Sequence, residues 1–172
     1  LSEDEIDLTP WKCRTLRRVL SAGAPVAPAI LERFQDLLSA GVQIYTPYGA
    51  TEALPVAVIG SEEILQDTRH QTARGAGTCI GRPVSGLDVR IIRISDAPIA
   101  EWSDELVLPS GEIGEIAVYG PQVTQEYFCR PDLTALAKIP DAVRGRKWHR
   151  MGDVGYFDDQ GRLWFCGRKS QR

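Results

Sequence analysis

Tyr48-Gly49-Ala50-Thr51-Glu52 puts an aromatic ring, a bare backbone, a hydroxyl and a carboxylate side by side. Such a set can serve a nucleotide. A ring stacked on a base gains roughly 1–3 kcal/mol. Gly49 permits close approach and unusual dihedrals. The Thr51 hydroxyl can donate to a phosphate oxygen, and the Glu52 carboxylate is a hard ligand suited to Mg²⁺. The same residues equally suit a turn with a capping Thr and a solvated Glu.

Three further segments carry comparable pairs of readings. Ser21-Ala22-Gly23-Ala24-Pro25 is small enough for its backbone to lie flat against a planar ring, or is simply a tight turn before a helix. In Trp148-His149-Arg150-Met151-Gly152-Asp153, Asp153 can accept two hydrogen bonds from a ribose diol, or serve as a turn residue. In Gly167-Arg168-Lys169-Ser170, Arg168 can reach a phosphate or ribose oxygen, or belong to a basic surface tail.

The elements that must position these residues change character along the chain. Leu16 to Leu20 reads as a short strand that runs into the small-residue loop. Pro28 opens a helix whose Ile30, Leu31, Phe34, Leu37 and Leu38 share a face, and Gly41 ends it. Val42 to Tyr45 is β-prone and runs into a ligand-side loop at 47–52, so residues 1–75 form a β-α-β portion on a parallel sheet. Such loops, at the carboxyl ends of parallel strands, are where α/β proteins hold ligands. The apolar run Ala53 to Val58 suits either an alkyl-chain pocket or buried core.

Glycines from Gly75 to Gly86 then punctuate a loop. Residues 76–166 read as β-rich. Strands are expected at 88–94 and 115–119, with a long connection between them, and a short helix at 131–138. A final hairpin pairs Val154–Phe157 with Arg162–Cys166 around the turn at 158–161. Fold class is therefore α/β followed by a small β barrel or sheet.

Composition narrows the partners. A net charge of -3 gives no reason to expect nucleic acid or an anionic membrane. No apolar run nears the roughly 18 residues that span a bilayer. The N-terminus LSEDEIDL has no signal-peptide pattern, which points to the cytoplasm and, without a starting Met, to the interior of a longer protein. Cys13, Cys79, Cys129 and Cys166 are too scattered for a zinc site, and His70 and His149 stand alone.

In order, SAGAP, YGATE, GEIGEIAVYGPQVTQEYF, WHRMGD and GRKSQR resemble the successive core motifs of the adenylate-forming superfamily. That superfamily includes acyl-CoA synthetases, luciferases and peptide-synthetase adenylation domains. The resemblance implies an ATP-dependent carboxylic acid ligase that passes through an acyl-adenylate. It places Gly23 and Ala24 on one face of adenine and Tyr48 on the other, with the Tyr48 ring rather than its hydroxyl in use. It gives Gly49 to the same loop, Thr51 to the AMP phosphate, Glu52 to Mg²⁺, and Asp153 and Arg168 to the ribose. Lys169 falls at the hinge, residues 167–172, on which a C-terminal lid turns.

Met151 stands where Thr is commoner and Glu126 where Gly is usual, but neither is an implied ligand. The family's phosphate loop and its lid lysine have no counterpart in the chain, which implies the C-terminal part of the large N-terminal domain, inactive by itself. A closer resemblance, on GATEALPVAVIGSEEIL, GAGTCIGRPVSGLDVRII and WHRMGDVGYFDDQGRLWFCGRK, is to the ligases of bacterial olefin biosynthesis, understood as β-lactone synthetases. It implies a long-chain 2-alkyl-3-hydroxy acid as partner, with CoA used instead if the chain comes from a fatty acyl-CoA synthetase. A non-catalytic nucleotide-binding fragment is the reading from another class.

Overall fold

The computed structural model describes residues 12–171; the acidic start of the chain and Arg172 lie outside them. Strand β1 (Val19–Leu20), helix α1 (Pro28–Gln35) and strand β2 (Ile44–Ala50) form the expected β-α-β unit, with β1 and β2 parallel. Its core gathers Leu31, Leu38 and Ile44 around Val19 and Val26. The expected strand from Leu16 shrinks to two residues. The helix also ends earlier than its apolar spacing suggests, tightening into Leu37 N–H to Phe34 and Leu38 N–H to Gln35 carbonyl bonds. Leu31 and Leu38 are two helical turns apart and share the buried face. Ile30 and Phe34 fall on its flank and stay exposed.

The loop expected at 47–52 is instead mostly strand. β2 continues through Ala50, only Thr51 and Glu52 turn, and β3 (Ala53–Gly60) returns antiparallel. Pro47 and Gly49 made the segment read as a loop, because one lacks a ladder donor and the other weakens a strand. Here Pro47 faces Val58, and a bulge between Tyr48 and Ala50 absorbs Gly49. A Cβ on Gly49 would lie 2.5 Å from the Ala53 carbonyl oxygen, so the glycine permits the hairpin's own close approach. Its φ is not left-handed, contrary to the expectation of unusual dihedrals. The run after Glu52 is core at Ala53, Val56 and Ala57, while Leu54 and Pro55 face outward.

A helical stretch absent from the sequence reading follows: α2 (Ser61–Glu63), a π-helical turn at Ile64–Thr68, and α3 (Arg69–Ala73). The remaining elements are β4 (Thr78–Pro83), β5 (Asp88–Ile92), β6 (Gly114–Tyr119), α4 (Pro131–Ala137), β7 (Lys138–Asp141), β8 (Arg146–Phe157) and β9 (Leu163–Arg168). All described strands join one sheet in the order β1-β2-β3-β4-β9-β8-β6-β5, with β7 added on β8. The glycines of the expected 75–86 loop had hidden β4, which pairs β3 on one edge and β9 on the other. The α/β and β-rich portions therefore share a continuous sheet.

Strand β6 is buried on both faces. Ile116 and Val118 enter one core cluster and Ala117 the other, as the two-residue period of a strand requires. The β8–β9 hairpin keeps its predicted turn, where Asp158 Oδ1 accepts from the Gln160 and Arg162 N–H groups at 3.0 and 2.8 Å.

Candidate functional site

A cavity of about 430 Å³ is lined by Gly23, Ala24, Tyr48, Gly49, Asp153 and Arg168. Four segments far apart in sequence thus meet at one place, at a volume typical of small-molecule sites. Gly23 takes a left-handed φ of 102°, which lets the loop after β1 turn there. Thr68, Arg69 and Thr72 from the unforeseen helical stretch, and Phe165 from β9, complete the wall. No motif pointed to Thr68, Arg69 or Thr72, which sit outside every segment the sequence singled out, and none gave Phe165 a role in the site.

Asp153 owes its aim to an irregular strand. Glu115 on β6 faces Val154, while Ala117 faces Arg150, so β8 carries extra residues across the interval that includes Gly152, whose φ is 66°. A bulge of this kind redirects a side chain. The Asp153 carboxylate is buried, yet lines the cavity, and sits in β8 and not in the turn that the sequence also allowed. The Tyr48 hydroxyl donates to Asp153 Oδ2 at 2.5 Å. Arg168, its cross-strand partner on β9, brings Nη1 to 2.8 Å from Oδ1. That contact is an ion pair without hydrogen-bond alignment, so Oδ1 is a buried acceptor with no aligned donor. Such an oxygen fits a ligand hydroxyl, because leaving it unpaired is costly.

Electrostatics support the same picture. Burial raises the Asp153 pKa above the usual carboxylate range, opposed by the Tyr48 hydrogen bond and by Arg168. Burial, then the Asp153 charge, push the Tyr48 phenol far up, so it remains a donor. The Tyr48 hydroxyl is therefore engaged with Asp153, a contact that the ring-stacking expectation does not include.

Thr51 and Glu52 occupy the β2–β3 turn, outside the cavity lining, with Thr51 exposed. Glu52 Oε1 accepts from the Tyr127 hydroxyl at 2.6 Å, and its carbonyl accepts from Thr124 N–H at 2.9 Å. Lys138 Nζ donates to Thr124 Oγ1 at 2.9 Å. The Tyr127 bond holds the Glu52 carboxyl below its ordinary range, and Lys138 acts in the same direction. Lys138 and His149 face each other across β7 and β8, both buried. Burial brings the lysine down to about 8 and the histidine to about 4.

No group of three or more His, Cys, Asp or Glu side chains able to hold a metal forms among the described residues. A single ionised carboxylate nonetheless fits Mg²⁺, which commonly takes one or two protein oxygens and fills its shell with substrate phosphates and water. The sequence had missed Tyr127, Thr124 and Lys138.

Lys169 lies outside the cavity. Its Nζ donates to the Ser95 carbonyl at 3.1 Å and lies 2.9 Å from Glu115 Oε1. Glu115 is sealed, and Arg150 clamps its Oε2 through Nε and Nη2 at 3.1 and 2.7 Å. Met151, one of the two residues that depart from the usual motif, packs in the hydrophobic core with Ile116 and Leu163.

Residues 5–128 match the family described as AMP-binding enzyme. The olefin beta-lactone synthetase of Stenotrophomonas maltophilia is 57% identical over 161 residues, 92% of this chain and 29% of that protein. The enzyme of the same name from Xanthomonas campestris pv. campestris is 53% identical over 160 residues, covering 91% of the chain and 29% of the protein. The chain thus spans about 29% of the length of these relatives. Among solved structures, O-succinylbenzoate coenzyme A synthetase from Bacillus subtilis, in complex with AMP, superimposes with a TM-score of 0.64 at 25% identity, over 90% of this chain and 27% of that one. A long-chain-fatty-acid-CoA ligase from Archaeoglobus fulgidus gives the same TM-score at 28% identity, over 89% and 28%. No described helix is long and apolar enough to cross a membrane. A cavity lined by Gly23, Ala24, Tyr48, Asp153 and Arg168, a mixed sheet shared with adenylate-forming enzymes and the family match lead to one assignment: the chain belongs to the AMP-binding enzyme family.

Proposed function

We propose that the chain is part of an ATP-dependent ligase that activates a long-chain 2-alkyl-3-hydroxy acid as its acyl-adenylate and closes it to a β-lactone. The observation that carries the nucleotide site is Asp153, buried at the cavity wall with Oδ1 short of an aligned donor. The high identity to two olefin beta-lactone synthetases supports the choice of product. On this reading residues 1–75 supply the adenine-binding loops, 76–166 the β-rich support, and 167–172 the start of the hinge. The free thiols of Cys79, Cys129 and Cys166 suit a cytoplasmic enzyme.

In the first step a carboxylate oxygen bonds to the α-phosphorus of ATP and the bond to pyrophosphate breaks. Both reactants are anions. Gly23, Ala24 and Tyr48 hold the base, Asp153 and Arg168 the ribose, and Thr51 the α-phosphate. Glu52 would hold Mg²⁺, which offsets the charge on the departing pyrophosphate. In the second step the substrate's own hydroxyl oxygen bonds to the activated carbonyl carbon, its proton leaves, and the bond to AMP breaks. Tethering favours that attack, although four-membered ring strain opposes it.

A fatty acyl-CoA synthetase is the competing reading, favoured by the likeness to the long-chain-fatty-acid-CoA ligase. Turnover of the longer enzyme with ATP, comparing a 2-alkyl-3-hydroxy acid with a plain fatty acid, with and without CoA, separates the two. CoA-independent release of AMP and lactone from the hydroxy acid alone is expected. A strict CoA requirement with either acid would sink the lactone reading.

A further inference from the structure

The geometry points to Tyr48 as the positioning residue for ribose recognition: its hydroxyl fixes Asp153 Oδ2 so that Oδ1 is aimed at a ribose hydroxyl. The inference rests on the nucleotide-site reading above and goes beyond it, because stacking uses only the ring.

Three observations support it. The hydroxyl-to-carboxylate bond is short, at 2.5 Å, and joins residues 105 positions apart, so it is made only by the folded site. Asp153 is 3% exposed, which leaves it little water to substitute for a lost donor. Its two oxygens are unequally served, with Tyr48 aligned on Oδ2 and Arg168 near Oδ1 without hydrogen-bond alignment.

A carboxylate pinned at one oxygen keeps the direction of the other. Arg168 is less suited to that task, because its side chain is 58% exposed. Tyr48 itself is anchored in the bulged part of β2, where Gly49 closes against β3. The strand, the ring and the carboxylate thus form a preset arrangement that needs little reorganisation when a ribose arrives.

A residue acting only through its ring would make Tyr48→Phe silent. The pinned carboxylate makes the opposite forecast, and restricts the loss to ligands that carry the diol. The test measures affinity for AMP and for 2′,3′-dideoxy-AMP in the longer enzyme, for wild type, Tyr48→Phe, Asp153→Asn and the double variant. Tyr48→Phe should weaken AMP roughly tenfold and leave the dideoxy analogue within about twofold. In the Asp153→Asn background, adding Tyr48→Phe should change little, since the two residues act as one unit.

Equal loss of both nucleotides would overturn the inference and make the hydroxyl a support for the site at large. Unchanged AMP affinity in Tyr48→Phe would overturn it by restoring a purely stacking role. Failure of the wild type to bind AMP at all would overturn the nucleotide site itself, and the inference with it.

Discussion

Asp153 and Glu115 are carboxylates almost sealed from solvent, and each meets one of two consecutive cations, Arg168 and Lys169. Their surroundings differ in kind. Glu115 is enclosed by Arg150, which also donates to the carbonyls of Ser95, Ala97 and Leu136, so one guanidinium ties the 95–97 connection and α4 to β6. Asp153 borders a cavity, and the cation beside it is mostly exposed. A buried charge enclosed by fixed donors belongs to the fold. One beside open space is suited to a ligand: Glu115 Oε1 and Asp153 Oδ1 both lack an aligned donor, so the cavity is what separates the two. The two sites lie on adjoining strands, so the contrast comes from what packs over each and not from depth alone.

The comparison breaks most visibly at Arg150. Arg150→Met should leave Glu115 with only Lys169 and remove one donor from each of the Ser95, Ala97 and Leu136 carbonyls. Removing one partner of a buried ion pair costs about 3–5 kcal/mol. Denaturant unfolding of the longer enzyme should show that loss, while the fraction that remains folded binds AMP with nearly unchanged affinity. A large drop in affinity with unchanged stability would move Arg150 into the binding site and erase the distinction.

Asp153→Asn should invert the pattern. A hydrogen bond to a charged acceptor is worth about 1.5–3 kcal/mol, or roughly one to two powers of ten in affinity. Stability should hold or rise. Burial raises the folded-state pKa of Asp153 above its unfolded value, so the ionised group costs stability once the pH exceeds the unfolded pKa. Replacing it should therefore help at neutral pH, with the gain fading as the pH falls below the unfolded pKa. A pH series of unfolding midpoints, read beside AMP affinity, checks both signs. Marked destabilisation at neutral pH would class Asp153 with Glu115.

The sequence revealed these two regions unequally. Gly23, Tyr48, Asp153 and Arg168 were legible because each sits in a short motif whose order matched a family, and the cavity does gather them. Glu115 and Arg150 also sat in motifs, but nothing local says that residues 35 apart form an enclosed pair. Tyr127 was missed for the same reason, since its partner Glu52 is 75 positions away. The β-α-β start was readable from period and from Pro28. Strands β2 and β4 were partly hidden, because Pro47, Gly49 and the glycines near Gly81 carry loop signals that cross-strand pairing overrides. Chemistry written in consecutive residues was legible in part, since Tyr48 and Gly49 line the cavity while Thr51 and Glu52 of the same run do not. Chemistry assembled across the sheet did not show beforehand.

The smallest expected effect belongs to Lys169, which joins the enclosed region to the proposed hinge. Its ammonium meets Glu115 Oε1 and the Ser95 carbonyl, but Arg150 already satisfies Oε2 from the other side. Lys169→Met keeps the apolar stem and removes the charge. The cost should be about 1.5 kcal/mol, the low end for a contact to a charged acceptor, and below that of Arg150→Met. If residue 169 is also where the lid pivots, the lost contact frees the chain at the point of rotation. Adenylation and lactone formation would then respond unequally, because each step needs its own lid orientation. Single-turnover rates for the two steps, measured beside unfolding midpoints, separate these roles. Equal slowing of both steps in proportion to lost stability would leave Lys169 a structural tie alone. An unequal change at nearly constant stability would make the Glu115 contact the structural link between the enclosed cluster and the hinge.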